Sequence, residues 1–332
     1  MIPHKSVPAT LIVCLIPGCL WAQPPQDPQS ELDRSTAHAT RSQTYDLKYK
    51  LQPGETLRWS VEQIASTDTR MAGHEETSSL RSRSVHSWEV DRTDSRGNMT
   101  FRNRLVSAVE WQQVGDQEPL SYDSSQPDQE IPDLFLATAE KIGKPIATIT
   151  IRPDGTVVNR VEHIKAPELG LGSVTTPLPD QPVAIGAQWD TPEEIQTRRK
   201  DKSIKTVKTR VRHTLRSVED GLAAISFRRE ILTPVDDPWI HMQMQQKINQ
   251  GTILFDIAAG RIVKKLVQWD EQVQGFEGGD SFLRYLGSYS MVIEDPPRDT
   301  ADANPLRPLD AEPVQRSSDY VKPRDEKPII RK

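Results

Sequence analysis

The sequence predicts a mainly β protein made of two related antiparallel halves with one short helix, flanked by disordered ends. Three observations predict it: stretches in which apolar and polar residues alternate, glycine-centred turns between them, and a recurrence of the same strands and turns later in the chain.

The chain of 332 residues opens with Met1-Ile2-Pro3-His4-Lys5 and an apolar run, Ala9 to Ile16. That run is too short to cross a bilayer, which takes roughly 20 residues. It has the form of a secretory signal peptide, 1–22, cut after Leu20-Trp21-Ala22 to leave Gln23 leading the mature chain. The alternative is the lipoprotein-like Ile16-Pro17-Gly18-Cys19, which would make Cys19 the lipidated first residue. A secreted or periplasmic protein with no transmembrane span in its mature chain is expected from the first cut, and a lipid-anchored one from the second. Both cysteines, Cys14 and Cys19, fall in this segment, so neither cut leaves a disulfide or a cysteine nucleophile.

Residues 23–43 carry Pro24, Pro25 and Pro28 among Gln, Ser, Thr and Asp and read as a linker. Residues 295–332 hold seven prolines, eight Lys/Arg and eight Asp/Glu, and read as a disordered tail that cannot bury enough apolar surface to offset its ordering entropy. The folded domain is therefore 44–294, with halves at about 44–164 and 181–294.

Leu57 to Ile64 alternates, and so does Val85 to Val90; Gly97-Asn98 then turns the chain into Met99 to Val106 as a hairpin partner. Ile131, Leu134, Phe135, Thr138 and Ile142 give one helical face, begun by Pro132-Asp133 and stopped by Gly143. Ile149-Thr150-Ile151 meets Thr156-Val157-Val158 across Arg152-Pro153-Asp154-Gly155, where proline sets the first turn position and glycine closes it.

The series then recurs. The Gly186 turn answers Gly54, the strands Thr206 to Leu215 and Leu222 to Arg229 answer those of Trp88 and Phe101, and the Gly260 hairpin answers the Gly155 hairpin. Gly54 to Phe101 spans 47 residues against 41 from Gly186 to Phe227, while Phe101 to Gly155 spans 54 against 33 from Phe227 to Gly260. The excess falls on the helical stretch, so a divergent duplication with a helical insertion accounts for the spacing. The halves join around residues 165–180, where Pro167, Pro177 and Pro179, followed by Pro182, bar regular structure.

Gly186-Ala187-Gln188-Trp189 after Leu178-Pro179-Asp180-Gln181-Pro182-Val183, together with Gly251 to Asp256 and Gly260-Arg261, resembles uncharacterised secreted β-rich proteins of planctomycete-type bacteria, a domain of unknown function. The resemblance covers about Tyr45 to Glu294. It implies export and an antiparallel fold, and supplies no catalytic residues.

Composition narrows the function. Lys+Arg 42 against Asp+Glu 47 gives a net charge of −5, which speaks against a nucleic-acid binder. Nucleophile elbows, phosphate loops, zinc spacings and calcium loops are missing from the sequence, so no cofactor or metal is expected. Asp91, Asp94 and Gly97-Asn98 only faintly echo a calcium loop and fit a polar hairpin turn better. His86 and His213 occupy related places in the two halves, either as a paired site or as ordinary strand residues.

The sharpest local feature is basic. Lys208, Arg210 and Arg212 share one face of a strand whose other face carries Val207, Val211 and Leu215, and Arg216 follows. This is either a face for anionic polysaccharide or lipid head groups, or a charged guard on a sheet edge. The leading expectation is a non-enzymatic binding or scaffolding protein of the envelope. A carrier of lipid or another apolar ligand, with Trp59, Trp88, Trp111, Trp189 and Trp269 lining a cavity, is the alternative. A hydrolase with a dispersed carboxylate pair is a third reading.

Overall fold

A computed structural model describes residues 43–164 and 175–294; the signal peptide, linker and tail expected outside 44–294, and most of the proline-rich junction, lie outside the described residues. The first half holds β1 (Thr44–Tyr45), β2 (Thr56–Met71), β3 (His74–Thr93), β4 (Met99–Val114), β5 (Leu120–Asp123), a 3-10 turn at Asp133–Phe135 running into α1 (Leu136–Ala139), β6 (Pro145–Ile151) and β7 (Val157–Glu162). The second holds β8 (Val183–Ala184), β9 (Gln188–Arg198), β10 (Ile204–Glu219), β11 (Leu222–Ile231), α2 (Pro238–Met244), β12 (Gln250–Asp256), β13 (Arg261–Gln274) and β14 (Phe282–Ile293).

The protein is mainly β. Twelve strands form one antiparallel sheet in the order β7-β6-β4-β3-β2-β14-β13-β12-β11-β10-β9, with β5 paired to β4, and β1 and β8 form a second small sheet. Each half is thus a five-stranded meander, β2-β3-β4-β6-β7 and β9-β10-β11-β12-β13, and β14 joins them by pairing with both β13 and β2. The same cross-strand couple recurs at the start of each meander: Trp59 faces His86 and Trp189 faces His213.

Alternation decides which face goes inward. Leu57, Trp59 and Val61 on β2, Phe101 on β4, Ile149 and Ile151 on β6, Ile225 on β11, Phe255 on β12 and Val267 and Trp269 on β13 belong to one core, so the sheet must coil around its inner face. The hollow is filled by the chain itself, through Leu47, Tyr49, Leu51 and Leu178. Tyr49 meets Phe255 edge to face, with ring centroids 5.4 Å apart, and Trp88 stacks on Phe101 at 4.4 Å. The Tyr49 N–H donates to Pro153 O at 2.7 Å and the Lys50 N–H to Gly260 O at 3.0 Å. One extended segment therefore ties together the turns of the two corresponding hairpins.

The helical stretch is shorter than its apolar spacing suggests. Phe135 is buried beside Tyr122, but Leu134 and Leu136 are exposed, and Ile142 leaves the helix to bridge Leu105. Ile131, Leu134 and Leu136 stay exposed, and Ile142 packs on Leu105, Ala108 and Ile146 only after the chain has left the helix, so no continuous apolar stripe rewards a longer one. The second helix, α2, is capped by the Asp237 carboxylate, which accepts the Trp239 N–H at 3.0 Å, and begins with Pro238. It lays Ile240 and Met244 on Val207. No helix among the described residues is long and apolar enough to cross a membrane.

Candidate functional site

The basic face is assembled as its spacing requires. Lys208, Arg210 and Arg212 lie on the outer face of β10, while Val207 and Leu215 are fully buried on the inner one. The strand is not an edge, because β9 covers it from Thr214 to Ile204; the guarded-edge role therefore falls to β9, where Pro192 stands.

Both neighbours supply acids. Arg212 grips Asp190 with a two-pronged fork, Nε to Oδ1 at 3.0 Å and Nη2 to Oδ2 at 3.1 Å. Arg210 reaches Asp190 at 3.1 Å and Glu230 at 2.7 Å. The Arg212 guanidinium, with Arg210 beside it, holds the Asp190 carboxyl below the usual carboxylate range. Arg216 donates to Ser226 Oγ at 2.7 Å, and Arg228 stands directly across from Arg212. Among the described residues, Lys208, Arg216 and Arg228 have no carboxylate within ion-pairing distance. Sequence reading found the cations of one strand. It could not see Asp190 and Glu230, which only the pairing of β9, β10 and β11 brings alongside, nor Arg228.

Other candidates resolve locally. Asp94 accepts the N–H groups of Arg96 and Asn98 and the Asn98 amide, so its carboxylate is spent on the hairpin turn. Among the described residues no cluster of three His, Cys, Asp or Glu could hold a metal. His86 and His213 lie in different meanders with five strands between theirs, His86 half-buried and His213 buried, each pushed down to about 4, chiefly by desolvation. Glu110 faces inward from β4, accepts the Thr138 hydroxyl at 3.2 Å and is pushed up by burial. Of the five tryptophans expected to line a cavity, Trp59, Trp88 and Trp269 are buried in the core, half-buried Trp189 stacks on His213, and Trp111 lies under Arg81.

The inner face of the second meander carries charges that the sequence reading passed over. Glu193 on β9, Arg229 on β11 and Lys265 on β13 border a cavity of about 50 Å³ together with His213, Asn249 and Phe227. Arg229 pairs with Glu193, and the Lys265 ammonium lies 5.9 Å from the centre of the Phe227 ring. Burial, then the nearby Arg229 charge, pushes Lys265 down to about 8. The signal was present in the pattern: Arg229 follows Ala223, Ile225 and Phe227 in the apolar phase of its strand, and Lys265 precedes Val267 and Trp269 in the apolar phase of its own.

No family model matches the sequence, and no curated protein matches it. Among solved structures the chain is similar to one described as lipid–protein interactions in lipovitellin, at 11% identity and a TM-score of 0.42; the match covers 76% of this chain, which spans 27% of that one.

Proposed function

We propose that this chain is an exported, non-enzymatic binding protein of the cell envelope that engages anionic polysaccharide or lipid head groups through the outer face of β9, β10 and β11. One observation carries the reading: among the described residues six cations, Lys208, Arg210, Arg212, Arg216, Arg228 and Arg198, share a face with four acids, Asp190, Glu194, Glu230 and, at the end of β10, Glu219. The acids do more than neutralise. They hold Arg210 and Arg212 in fixed orientations, so less side-chain entropy is lost when an anion arrives, and the cations without a carboxylate supply the excess charge.

The test is retention of the mature protein on a sulfated polysaccharide matrix and on vesicles containing phosphatidylglycerol. Replacing Lys208, Arg216 and Arg228 together by Ala should lower the salt needed for release and leave the melting temperature nearly unchanged, since exposed cations contribute little to folding. Wild-type retention should itself fall steeply with salt. Unchanged retention in the triple variant would overturn the reading.

A further inference from the structure

The cavity on the inner face has the chemistry of a second site, independent of the outer face. Arg229 and Lys265 are each more than nine-tenths buried, whereas the Glu193 side chain is 40% exposed and marks where the cavity reaches solvent. Arg229 spends one Nη on Glu193 and its backbone N–H on Asn249 O at 2.9 Å, which leaves its buried Nε without a partner. Lys265 makes no hydrogen bond or ion pair among the described residues; its ammonium lies against the Phe227 ring, and the Glu193 carboxylate and the Arg229 guanidinium act on it from beyond contact distance. The walls contributed by β12 and by Thr175, Thr176 and Pro177 bring no charge, and His213 is neutral near pH 7. Two buried cations thus face one carboxylate. A buried ammonium without a counter-charge is costly, and so is a buried N–H without an acceptor.

We propose that this cavity binds a small monovalent anion, a halide or a carboxylate group, with Lys265 and Arg229 as its donors and Glu193 as the competing charge that sets its affinity. The charge excess of one selects a monovalent ligand. A volume of about 50 Å³ has room for an ion of a few atoms. Gly251 helps shape the site: it packs under the Phe227 ring with no side chain of its own, and so lets that ring lie beside Lys265. Because the ammonium loses its proton as pH rises past about 8, anion binding should fade there.

The experiment is a thermal-melt series on the mature protein with sodium chloride, sodium formate or sodium acetate, at ionic strength held constant with sodium sulfate. The melting temperature should rise with the logarithm of the concentration of the anion that fits, as binding to the folded state alone requires. Chloride acting alone identifies a halide site, and formate or acetate acting at lower concentration identifies a carboxylate site. Lys265→Met keeps the length of the chain, removes the charge and should abolish the response. Glu193→Gln frees Arg229 and should shift the response to at least about tenfold lower concentration, the scale of one charge-assisted hydrogen bond. The outer-face variant lacking Lys208, Arg216 and Arg228 should respond like wild type, which separates this site from the surface above. A wild type indifferent to all three anions, or a Lys265→Met protein that responds like wild type, would overturn the proposal. Should Lys265→Met fail to fold, an unshifted response in the partly exposed Glu193→Gln would do so.

Discussion

Tyr49 and Gly155 touch so closely that a β-carbon on the glycine would stand 2.5 Å from Cε2 of the tyrosine ring and 2.7 Å from the Thr176 carbonyl oxygen. Gly155 also sits at a φ of +81°, where any side chain is strained. Above this contact the Tyr49 hydroxyl accepts the Thr176 N–H at 3.0 Å and donates to the Thr176 carbonyl at 3.2 Å. One ring thus fastens the segment before β2, the β6–β7 turn and the chain entering the second half.

Gly155→Ala should therefore destabilise the protein by about 1–3 kcal/mol or more, adding overpacking to backbone strain. Tyr49→Phe should cost about 1–3 kcal/mol through a different route, since it leaves buried Thr176 groups without their partner. Urea unfolding checks both, and a wild-type midpoint for either would remove Tyr49 from its role as fastener.

Gly251→Ala should be worse. A β-carbon there would lie 1.9 Å from the Leu266 carbonyl oxygen and 2.8 Å from the Phe227 ring. Trimming the ring with Phe227→Leu relieves one clash and leaves the backbone one, so the double variant should not regain wild-type stability. Full rescue by Phe227→Leu, read from the melting temperature, would show that the ring alone was the obstacle.

Acid should weaken the fold through His213. Desolvation first, then the Lys265 charge, holds it at about 4 against an ordinary 6.5, so between those values the unfolded chain takes up the proton more readily. Stability is then complete above pH 6.5 and is lost as pH falls towards 4, by on the order of 3 kcal/mol from this residue. His213→Asn should flatten the curve of unfolding free energy against pH over that window, with His86 leaving a residual slope. An undiminished slope would mean that His213 does not titrate there.

Asp190→Asn gives the outer face an opposite sign to cation removal. It releases Arg212 and part of Arg210 from their acid, so retention on a sulfated matrix should strengthen, while folding changes by no more than about 1 kcal/mol because the pairs are exposed. Weaker retention would show that oriented guanidinium groups matter more than net charge.

The legible parts of the sequence are those where one face is apolar. Trp59, Trp88, Phe101 and Ile149 alternate with polar neighbours, and each strand appears where that alternation lies. The far ends of β2 and β3 were not legible. From Ser66 to Arg70 and from Glu75 to Ser79 the residues are polar on both faces, because the strands run past the core and their register is held by backbone pairing around the Ala72-Gly73 turn, where both residues have positive φ. Helix α2 was missed because Asp237-Pro238, a good start signal, is followed by too few residues to show a helical period. The outer cations were visible because they are consecutive in one strand phase. Glu193, Arg229 and Lys265 come from three strands, and only the order β9-β10-β11-β12-β13 brings them to one cavity.

The placement of β14 governs when the protein can be finished. It is the last strand in the described residues, yet it lies between β2 and β13 in mid-sheet, pairing Ile293 with Trp59. A chain emerging from its N-terminus can assemble each meander locally, but until residues 282–293 arrive β2 and β13 remain two open edges, each long and each able to pair with a stranger. The molecule is thus most exposed to misassembly just before completion. Productive assembly therefore requires that those two edges be kept apart until residues 282–293 have paired with both.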